Sequence, residues 1–249
     1  MSEYKVLGVR VNGVQIPDVV ATVRQWIRDR GPARFIAVTG MHGVMEAQQS
    51  GEFRQVLAEA DLVVPDGMPL VWMGRTFGLP LRRRVYGPEL METFLRETGS
   101  EYRHFFYGGA EGVADQLAGV LHKKFDIQVA GTWCPPFRAL TAAEENEVAA
   151  LIEESKPDVV WIGLSTPKQE RWMQAHRHLN APVMIGVGAA FDFHTGRAVQ
   201  APVWMREHGF EWLFRLLSEP RRLWRRYIIL GGKFGWNVTL QLLGWRDFS

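Results

Sequence analysis

One carboxylate in this chain stands where an enzyme could use it as a base. Residues 62–64 are apolar and predict a short buried strand, which ends in the turn signal Pro65-Asp66-Gly67. The turn puts Asp66 at the carboxyl end of the strand, where open α/β sheets bind their ligands. There Asp66 can take a proton from a hydroxyl group. The alternative is that it only shapes the turn or caps the helix predicted to begin near Pro69.

Two later strand ends carry groups suited to an anion. Gly108 and Gly109 let backbone amides approach an anion at a helix amino terminus, although glycines after a strand also serve tight turns. Lys168 falls in the first turn of another predicted helix, after a candidate N-cap at Ser165 or Thr166. Because the helix dipole disfavours a cation at that end, Lys168 indicates either an anionic ligand or simple surface exposure.

Two further stretches complete the candidates. Gly188 would give a ligand access to the backbone, and the Asp192 carboxylate would either accept hydrogen bonds from a ribose or base or only cap a local turn. Arg84 ends a run of three arginines before a predicted helix. Its guanidinium can bind a phosphate through two hydrogen bonds, although such runs are usually solvated loops.

Alternating strands and helices must position these residues. The sequence predicts a hairpin over 6–16 with its turn at Asn12-Gly13, followed by a helix over 18–30. It then predicts helices between six strands, the first of these helices over 42–60. The six strands are 35–38, 62–64, 104–107, 127–130, 159–162 and 183–187. This alternation indicates right-handed crossovers and a doubly wound, mostly parallel, Rossmann-like α/β sheet.

The composition bounds the class of protein. The 249 residues are 47% hydrophobic and 22% charged, as in a globular protein, and a net charge of +2 gives no indication of nucleic-acid binding. The single cysteine, Cys134, permits no internal disulfide and fits a reducing cytosol. The sequence shows no signal-peptide pattern and no run of eighteen apolar residues that would span a membrane.

Residues 204–249 differ from the rest of the chain. We expect residues 1–203 to form the catalytic α/β domain and 204–249 to form a basic helical appendage. Five of the ten tryptophans lie in this tail, and residues 213–233 carry six cations against one anion. An α-helix would place Arg222, Arg225 and Arg226 on one face. The tail is either a basic helix packed on the main domain or an amphipathic helix resting on anionic lipid.

Six short motifs along the chain carry a family resemblance. In order they are Pro-Asp-Gly-Met, Arg-Val-Tyr-Gly, Tyr-Gly-Gly, Pro-Lys-Gln-Glu-x-Trp, Gly-Val-Gly-x-x-Phe-Asp and Glu-Trp-Leu-Phe-Arg-Leu-x-x-Glu-Pro-x-Arg. Together they resemble the WecG/TagA/CpsF glycosyltransferases, glycosyltransferase family 26, over nearly the whole chain. The resemblance implies inverting transfer of a sugar, of the N-acetylmannosamine type or a related hexose, from a UDP-sugar to a polyprenyl-diphosphate-linked acceptor. It also implies cell-surface polysaccharide synthesis at the cytoplasmic face of the membrane, and it is compatible with a homo-oligomer.

The resemblance assigns roles to single residues. It implies Asp66 as the general base, with Arg84 and Gln169 in the substrate pocket and Asp192 at the nucleotide. The family's carboxyl-terminal arginines, which close the site over the diphosphate, match Arg215, Arg222 and Arg225.

One departure from the family concerns the donor sugar. The family's first strand usually ends Thr-x-Asn, whereas this chain reads Thr39-Gly40-Met41-His42, so the Asn is missing near Gly40. A side-chain contact to the sugar is therefore lost, and Thr39 or His42 can substitute for it.

The departing UDP needs its negative charge stabilised. Many nucleotide-sugar enzymes use a metal held by Asp-x-Asp, and this sequence contains no such motif. We therefore expect arginines and helix amino termini to supply the positive charge, without a metal or a cofactor.

Two rival classes remain. A nicotinamide-dependent dehydrogenase would share the sheet, but it needs Gly-x-Gly-x-x-Gly after the first strand, where this chain has Thr39-Gly40-Met41-His42. A non-catalytic protein that binds nucleotide-sugar at the membrane surface would explain the basic tail. It would not explain Asp66, Gln169 and Asp192 at neighbouring strand ends.

Overall fold

The computed structural model describes residues 1–248. The strands are β1 (Glu3–Val6), β2 (Val9–Asn12), β3 (Arg34–Thr39), β4 (Leu62–Pro65), β5 (Arg103–Gly108), β6 (Gln128–Trp133), β7 (Val159–Gly163) and β8 (Val183–Gly186). The helices that precede the tail are α1 (Ile16–Asp29), α2 (Met41–Gln49), α3 (Gly51–Glu59), α4 (Met68–Thr76), α5 (Gly87–Thr98), α6 (Val113–Phe125), α7 (Ala142–Ser155), α8 (Lys168–Ala175) and α9 (Ala190–His194), with a 3₁₀ turn at Gly99–Glu101. The tail contains α10 (Val203–Glu207), α11 (Glu211–Ser218), α12 (Pro220–Trp224), a π-helical turn (Arg225–Leu230) and α13 (Gly231–Leu242).

Six strands form one parallel sheet in the order β4-β3-β8-β7-β5-β6. Successive residues of β3 face opposite sides, so Phe35 and Ala37 enter one core cluster while Ile36 and Val38 enter the other. Helices α1, α5, α6 and α9 contribute to one cluster, and α2, α3, α4, α7 and α8 contribute to the other. The apolar strand segments are continuous because both faces of the sheet are covered. The predicted doubly wound, parallel α/β fold is confirmed.

The amino-terminal hairpin is present, but its predicted turn is wrong. Pairing of Val6 with Val9 places the turn at Leu7-Gly8 instead of Asn12-Gly13. Leu7 and Gly8 have φ of 48° and 76°, the left-handed values that a two-residue hairpin turn requires. Asn12 is buried, and its Oδ1 accepts a hydrogen bond of 2.8 Å from the Val63 N–H. This bond fixes the hairpin against β4, the edge strand of the sheet.

The structure differs from two predictions about helices, one on the extent of a helix and one on its N-cap. The helix predicted over 42–60 is divided at Ser50, whose backbone is extended and whose Oγ accepts a hydrogen bond of 3.1 Å from the Phe53 N–H. Ser50 therefore caps a second helix, α3. Neither Ser165 nor Thr166 caps α8 through its side chain. The Thr166 hydroxyl instead donates to Glu170 at 2.8 Å.

The tail packs back on the amino-terminal half of the chain. Phe234 and Phe248 are buried in the same core cluster as the hairpin residues. The Gln241 side chain accepts a hydrogen bond of 2.7 Å from the Leu7 N–H and donates one of 2.9 Å to the Lys5 carbonyl. These contacts join tail and sheet in one core, and the division at residue 203 stays a prediction. None of the helices within residues 1–248 has the length and apolar character needed to cross a membrane.

Candidate active site

A cavity of about 690 Å³ opens at the carboxyl edge of the sheet. Its floor is formed by the loops after β3, β4, β7 and β8, and its roof by α11, α12 and the π-helical turn of the tail. The chain passes from β3 to β4 at one edge of the sheet, whereas β8 and the remaining strands lie on the other side of β3. A crevice of this kind is the usual ligand site of an open α/β sheet. The tail converts the crevice into a covered pocket.

Asp66 lies in the floor of this cavity. Its N–H donates to the Thr39 carbonyl at 2.9 Å, and Gly67 follows with a φ of 125°, a value that favours glycine. About a third of the Asp66 side chain is exposed, and its Oδ1 is buried without a hydrogen-bond partner. Burial raises the pKa of Asp66 to about 6, although Arg84 opposes that rise. The carboxylate is therefore charged at neutral pH, open to the cavity and more basic than an ordinary aspartate.

Arg84 reaches Asp66 because its own segment packs on the end of β4. The Val85 N–H donates to the Pro65 carbonyl at 2.8 Å, and the Arg84 Nη1 then lies 3.8 Å from the Asp66 Oδ1. The guanidinium also lies over the Tyr86 ring, 4.1 Å from its centroid. Its Nη2 forms an ion pair with Glu211. Burial disfavours the charge of Arg84, but the two carboxylates outweigh burial and raise its pKa.

Glu211 is a site residue that the sequence analysis missed. It is the first residue of α11 in the tail, it is buried, and it meets Arg84 through Oε2 and the Tyr86 hydroxyl through Oε1, at 3.2 Å for the latter. The only signal in the sequence is that Glu211 opens the last family motif, within a basic segment. Nothing in that pattern indicates a partner more than a hundred residues away.

The loop after β3 passes very close to Asp66. A Cβ at Gly40 would lie 2.4 Å from the Asp66 carbonyl oxygen, so a side chain there would require the backbone to move. His42 lines the cavity instead. Burial and the nearby Arg226 lower the pKa of His42 to about 4, so this imidazole is neutral at neutral pH. His42 can donate or accept a hydrogen bond to a sugar hydroxyl, but it carries no charge for a diphosphate.

Gln169 joins the loops after β7 and β8. It lines the cavity but is almost fully buried, and its Oε1 accepts a hydrogen bond of 3.1 Å from the Gly188 N–H. Its Nε2 donates to Glu170 at 3.0 Å. Glu170 is fully buried, and burial raises its pKa. In this structure Gln169 therefore fixes the position of Gly188, which also lines the cavity.

The tail brings three arginines to the cavity, and they differ from the predicted three. Arg215, Arg222 and Arg226 line it, whereas Arg225 is exposed and does not. The π-helical turn from Arg225 to Leu230 explains the difference. A π-helix rotates less per residue than an α-helix, so the fourth residue after Arg222 returns to the same face and the third falls short. The expectation that Arg222, Arg225 and Arg226 share one helical face is therefore wrong, because Arg225 points away from the cavity.

Arg226 is poorly compensated in this position. Its Nε is buried without a hydrogen-bond partner, and burial, with a smaller contribution from Arg215, lowers its pKa. Among residues 1–248, no carboxylate lies within ion-pair distance of Arg215 or Arg226, while Arg222 pairs with Glu219. Unpaired guanidinium groups in a cavity provide a site for an anion.

Several predicted site residues lie outside the cavity lining. Thr39 is buried below it, and its Oγ1 has no hydrogen-bond partner. Lys168 is exposed, and Asp192 lies in α9 directly before Phe193, which does line the cavity. Gly108 and Gly109 have φ of 134° and 78°, and a Cβ on Gly108 would meet the Gly163 backbone at 2.7 Å. Positive φ and close packing thus account for both glycines, and their roles at a nucleotide stay predictions.

No cluster of three or more His, Cys, Asp or Glu side chains suited to a metal ion occurs within the described range 1–248. The charged groups that line the cavity are four arginines and two carboxylates (Arg84, Arg215, Arg222, Arg226, Asp66 and Glu211). Because both carboxylates face Arg84, they compensate its charge. The uncompensated positive charge in the cavity therefore comes from the tail arginines.

Comparison with known proteins identifies the family. The sequence profile described as "Glycosyl transferase WecG/TagA/CpsF family" matches residues 4–247. The chain belongs to the WecG/TagA/CpsF family. It is accordingly a glycosyltransferase, and the dehydrogenase alternative is wrong because these enzymes transfer sugars.

Two WecG/TagA/CpsF-type relatives are similar over most of their length. One, from Bacillus spizizenii (strain ATCC 23059 / NRRL B-14472 / W23), is 32% identical over 203 residues, which cover 80% of this chain and 77% of the relative. The other, from Bacillus subtilis (strain 168), is 30% identical over 182 residues, covering 71% and 68%. Both are named N-acetylglucosaminyldiphosphoundecaprenol N-acetyl-beta-D-mannosaminyltransferase. The predicted family and the predicted enzyme class, a glycosyltransferase, are confirmed.

Proposed function

We propose that this protein transfers a sugar, of the N-acetylmannosamine type or a related hexose, from a UDP-sugar to a polyprenyl-diphosphate-linked glycan, with inversion and without a metal. The observation that carries the proposal is the pairing of one accessible carboxylate, Asp66, with a roof of arginines across the same cavity. The two relatives support the acceptor class and the sugar, since their names specify N-acetylmannosaminyl transfer to N-acetylglucosaminyldiphosphoundecaprenol.

The proposed reaction is a single displacement. Asp66 takes the proton of the acceptor hydroxyl, and the hydroxyl oxygen forms a bond to the anomeric carbon of the donor sugar. The bond from that carbon to the diphosphate oxygen breaks, and UDP leaves with the electron pair. Arg215 and Arg226 stabilise the negative charge that develops on the diphosphate. Attack from the face opposite the leaving group inverts the anomeric carbon and requires one base.

The geometry favours Asp66 over the other candidate bases. Both oxygens of Glu211 are engaged, by Arg84 and Tyr86, and only a tenth of its side chain is exposed. Glu170 is fully buried below the cavity. The position of Asp66, open to the cavity, supports a catalytic protein over one that only binds nucleotide-sugar.

A donor screen tests the proposal. The protein would be incubated with short-chain polyprenyl-diphosphate N-acetylglucosamine and, in separate reactions, the UDP forms of N-acetylmannosamine, N-acetylmannosaminuronic acid and glucose. UDP release that depends on the acceptor, with a glycosylated lipid of inverted anomeric configuration, is the expected result. Donor hydrolysis without acceptor dependence, or a retained configuration, would contradict the proposal.

Metal independence gives a separate prediction. EDTA should leave the turnover rate essentially unchanged, because arginines stabilise the leaving group. The measurement is UDP release after chelation and then after addition of Mg²⁺ or Mn²⁺. If chelation abolishes turnover and either ion restores it, the role given to the tail arginines is wrong.

We also propose that the protein lies on the anionic inner surface of the cytoplasmic membrane. Trp204, Trp224 and Trp236 of the tail are exposed, as are the cations Arg221 and Lys233. Exposed tryptophans beside cations suit the boundary between water and anionic lipid. Whether the protein forms a homo-oligomer stays a prediction.

Charge reversal tests this surface. Each cation near anionic lipid contributes about 1 kcal/mol, so Arg221→Glu with Lys233→Glu should weaken binding to phosphatidylserine vesicles by roughly tenfold or more. Turnover of a water-soluble acceptor should stay normal, because neither residue lines the cavity. The matched control is Arg96→Glu with Lys123→Glu, an equal change of charge at exposed positions in α5 and α6. Equal vesicle binding by the two variants would contradict a lipid-facing tail.

A further inference from the structure

The Arg84 guanidinium stands between two carboxylates from distant parts of the chain. Its Nη1 faces Asp66 at 3.8 Å, beyond hydrogen-bond distance, whereas its Nη2 pairs closely with Glu211 of the tail. The Tyr86 ring below the guanidinium limits its movement, and the Tyr86 hydroxyl holds the other oxygen of Glu211. Arg84, Glu211 and Tyr86 are buried or mostly buried, whereas about a third of the Asp66 side chain is exposed. The arrangement therefore leaves Asp66 with a weak pairing and Glu211 with a strong one.

We propose that Glu211 is a positioning residue, which holds Arg84 away from Asp66 and so keeps the Asp66 carboxylate free to act as the base. The inference rests on the proposed function in that Asp66 is the base. Without Glu211, the nearest carboxylate for Arg84 is Asp66, and an arginine and a carboxylate at close range form a bidentate pair. Such a pair would occupy the oxygens that must accept the proton and would weaken their basicity.

The tail contributes charged groups both to the surroundings of Asp66 and to the anion site. The charged groups that face Asp66 are Arg84, Glu211, Arg215 and Arg226, with His42 and the Tyr86 hydroxyl on the same cavity wall. Three of these (Glu211, Arg215 and Arg226) come from the tail. Glu211 supplies negative charge next to Asp66, and the two arginines supply positive charge for the leaving group. Docking of the tail thus sets the base and the anion site together.

Glu211→Gln is the direct test, because it removes the charge and keeps the shape. We expect kcat/KM at neutral pH to fall about tenfold to a hundredfold, the range for a reacting group displaced by about 1 Å. The acid limb of the pH profile, set by Asp66, should move to lower pH by roughly one unit or more, since a negative neighbour is lost and Arg84 turns to Asp66. Glu211→Asp keeps the charge, so it should keep the limb near its wild-type position.

The chain offers a matched control one position away. The exposed Arg83 pairs with Glu207 of α10 at 3.2 Å, so it joins the main domain to the tail as the Arg84–Glu211 pair does, but outside the cavity. Glu207→Gln should change neither the rate nor the pH limb. If Glu211→Gln loses rate while its acid limb stays in place, Glu211 is only structural and the proposal is overturned.

A second readout does not depend on turnover. The Asp66 carboxyl can be titrated by ¹³C NMR of aspartate-labelled protein, with Asp66→Asn assigning the signal, and its midpoint should be lower in Glu211→Gln than in wild type. If the wild-type protein transfers no sugar, the proposed function fails, but this titration still decides the role of Glu211. Should Glu211→Gln fail to fold, Tyr86→Phe removes one hydrogen bond to Glu211 and should move the midpoint in the same direction by less. An unmoved midpoint in the variants that fold would overturn the proposal.

Discussion

Replacing Asp66 with Asn should lower kcat by roughly 10²–10⁴-fold, the contribution of a positioned general base. Asn has nearly the same shape but cannot accept the proton of the acceptor hydroxyl. Because the wild-type carboxylate has a pKa of about 6, activity should fall below that pH as the base becomes protonated. The loss in Asp66→Asn should instead persist well above pH 6, where the wild-type base is fully charged. The measurement is the pH dependence of UDP release with a soluble acceptor.

Donor binding provides the control for this variant. The base acts on the acceptor, so the affinity for UDP-sugar, measured by calorimetry, should change little. Thermal unfolding should confirm that the variant folds, because the backbone hydrogen bond from the N–H of residue 66 to the Thr39 carbonyl does not depend on the side chain. Activity within a few-fold of wild type would show that Asp66 is not the base.

Replacing Arg226 with Ala should lower kcat by roughly 10²-fold, the loss typical of one group that stabilises a developing anion. Arg226 lines the cavity, and its Nε lacks a partner there. The neighbouring Arg225 is exposed, with its guanidinium 5.4 Å from the centroid of the Trp224 ring. Arg225→Ala should therefore change kcat by no more than a few-fold. The two variants remove the same group from adjacent positions, so each controls for the other.

The relative losses in the two variants decide which of Arg225 and Arg226 contacts the diphosphate. The family resemblance assigns the diphosphate contact to Arg225, whereas Arg226 lines the cavity in the structure. A large loss in Arg225→Ala with a small one in Arg226→Ala would contradict the role given to Arg226. Vesicle binding should be measured on both variants, because the loss expected of Arg226→Ala is in turnover of a soluble acceptor and not in membrane association.

The sequence by itself determined the layered fold and the position of Asp66 at the end of a strand. A strand of a parallel sheet is buried on both faces, so it appears in the sequence as a short continuous apolar segment. Such segments alternate here with segments of helical periodicity, and that alternation is enough to predict the fold. The Pro65-Asp66-Gly67 turn similarly fixes Asp66 at a strand end, and Gly67 adopts the positive φ that the turn needs. The motifs also sufficed to indicate the family, which the match over residues 4–247 confirms.

Local interpretation failed where two patterns compete within a few residues. Asn12-Gly13 is a good turn signal, but Asn12 is used to bind the β4 backbone, and Leu7-Gly8 turns instead. Ser50 interrupts a helix because its side chain satisfies the Phe53 N–H. In both places a side-chain hydrogen bond decides the outcome, and the sequence does not show whether that bond forms.

The composition of the site was decided by the tertiary structure. Glu211 meets Arg84 only because the tail folds back over the sheet, which joins residues separated by 127 positions. The π-helical turn also changes which arginines share a face, since its smaller rotation per residue moves Arg225 away from the face of Arg222 while Arg226 stays on it. Spacing along a chain predicts which residues share a face only when the helix type is known. Contacts across the cavity have no periodicity at all, and packing alone brings them together.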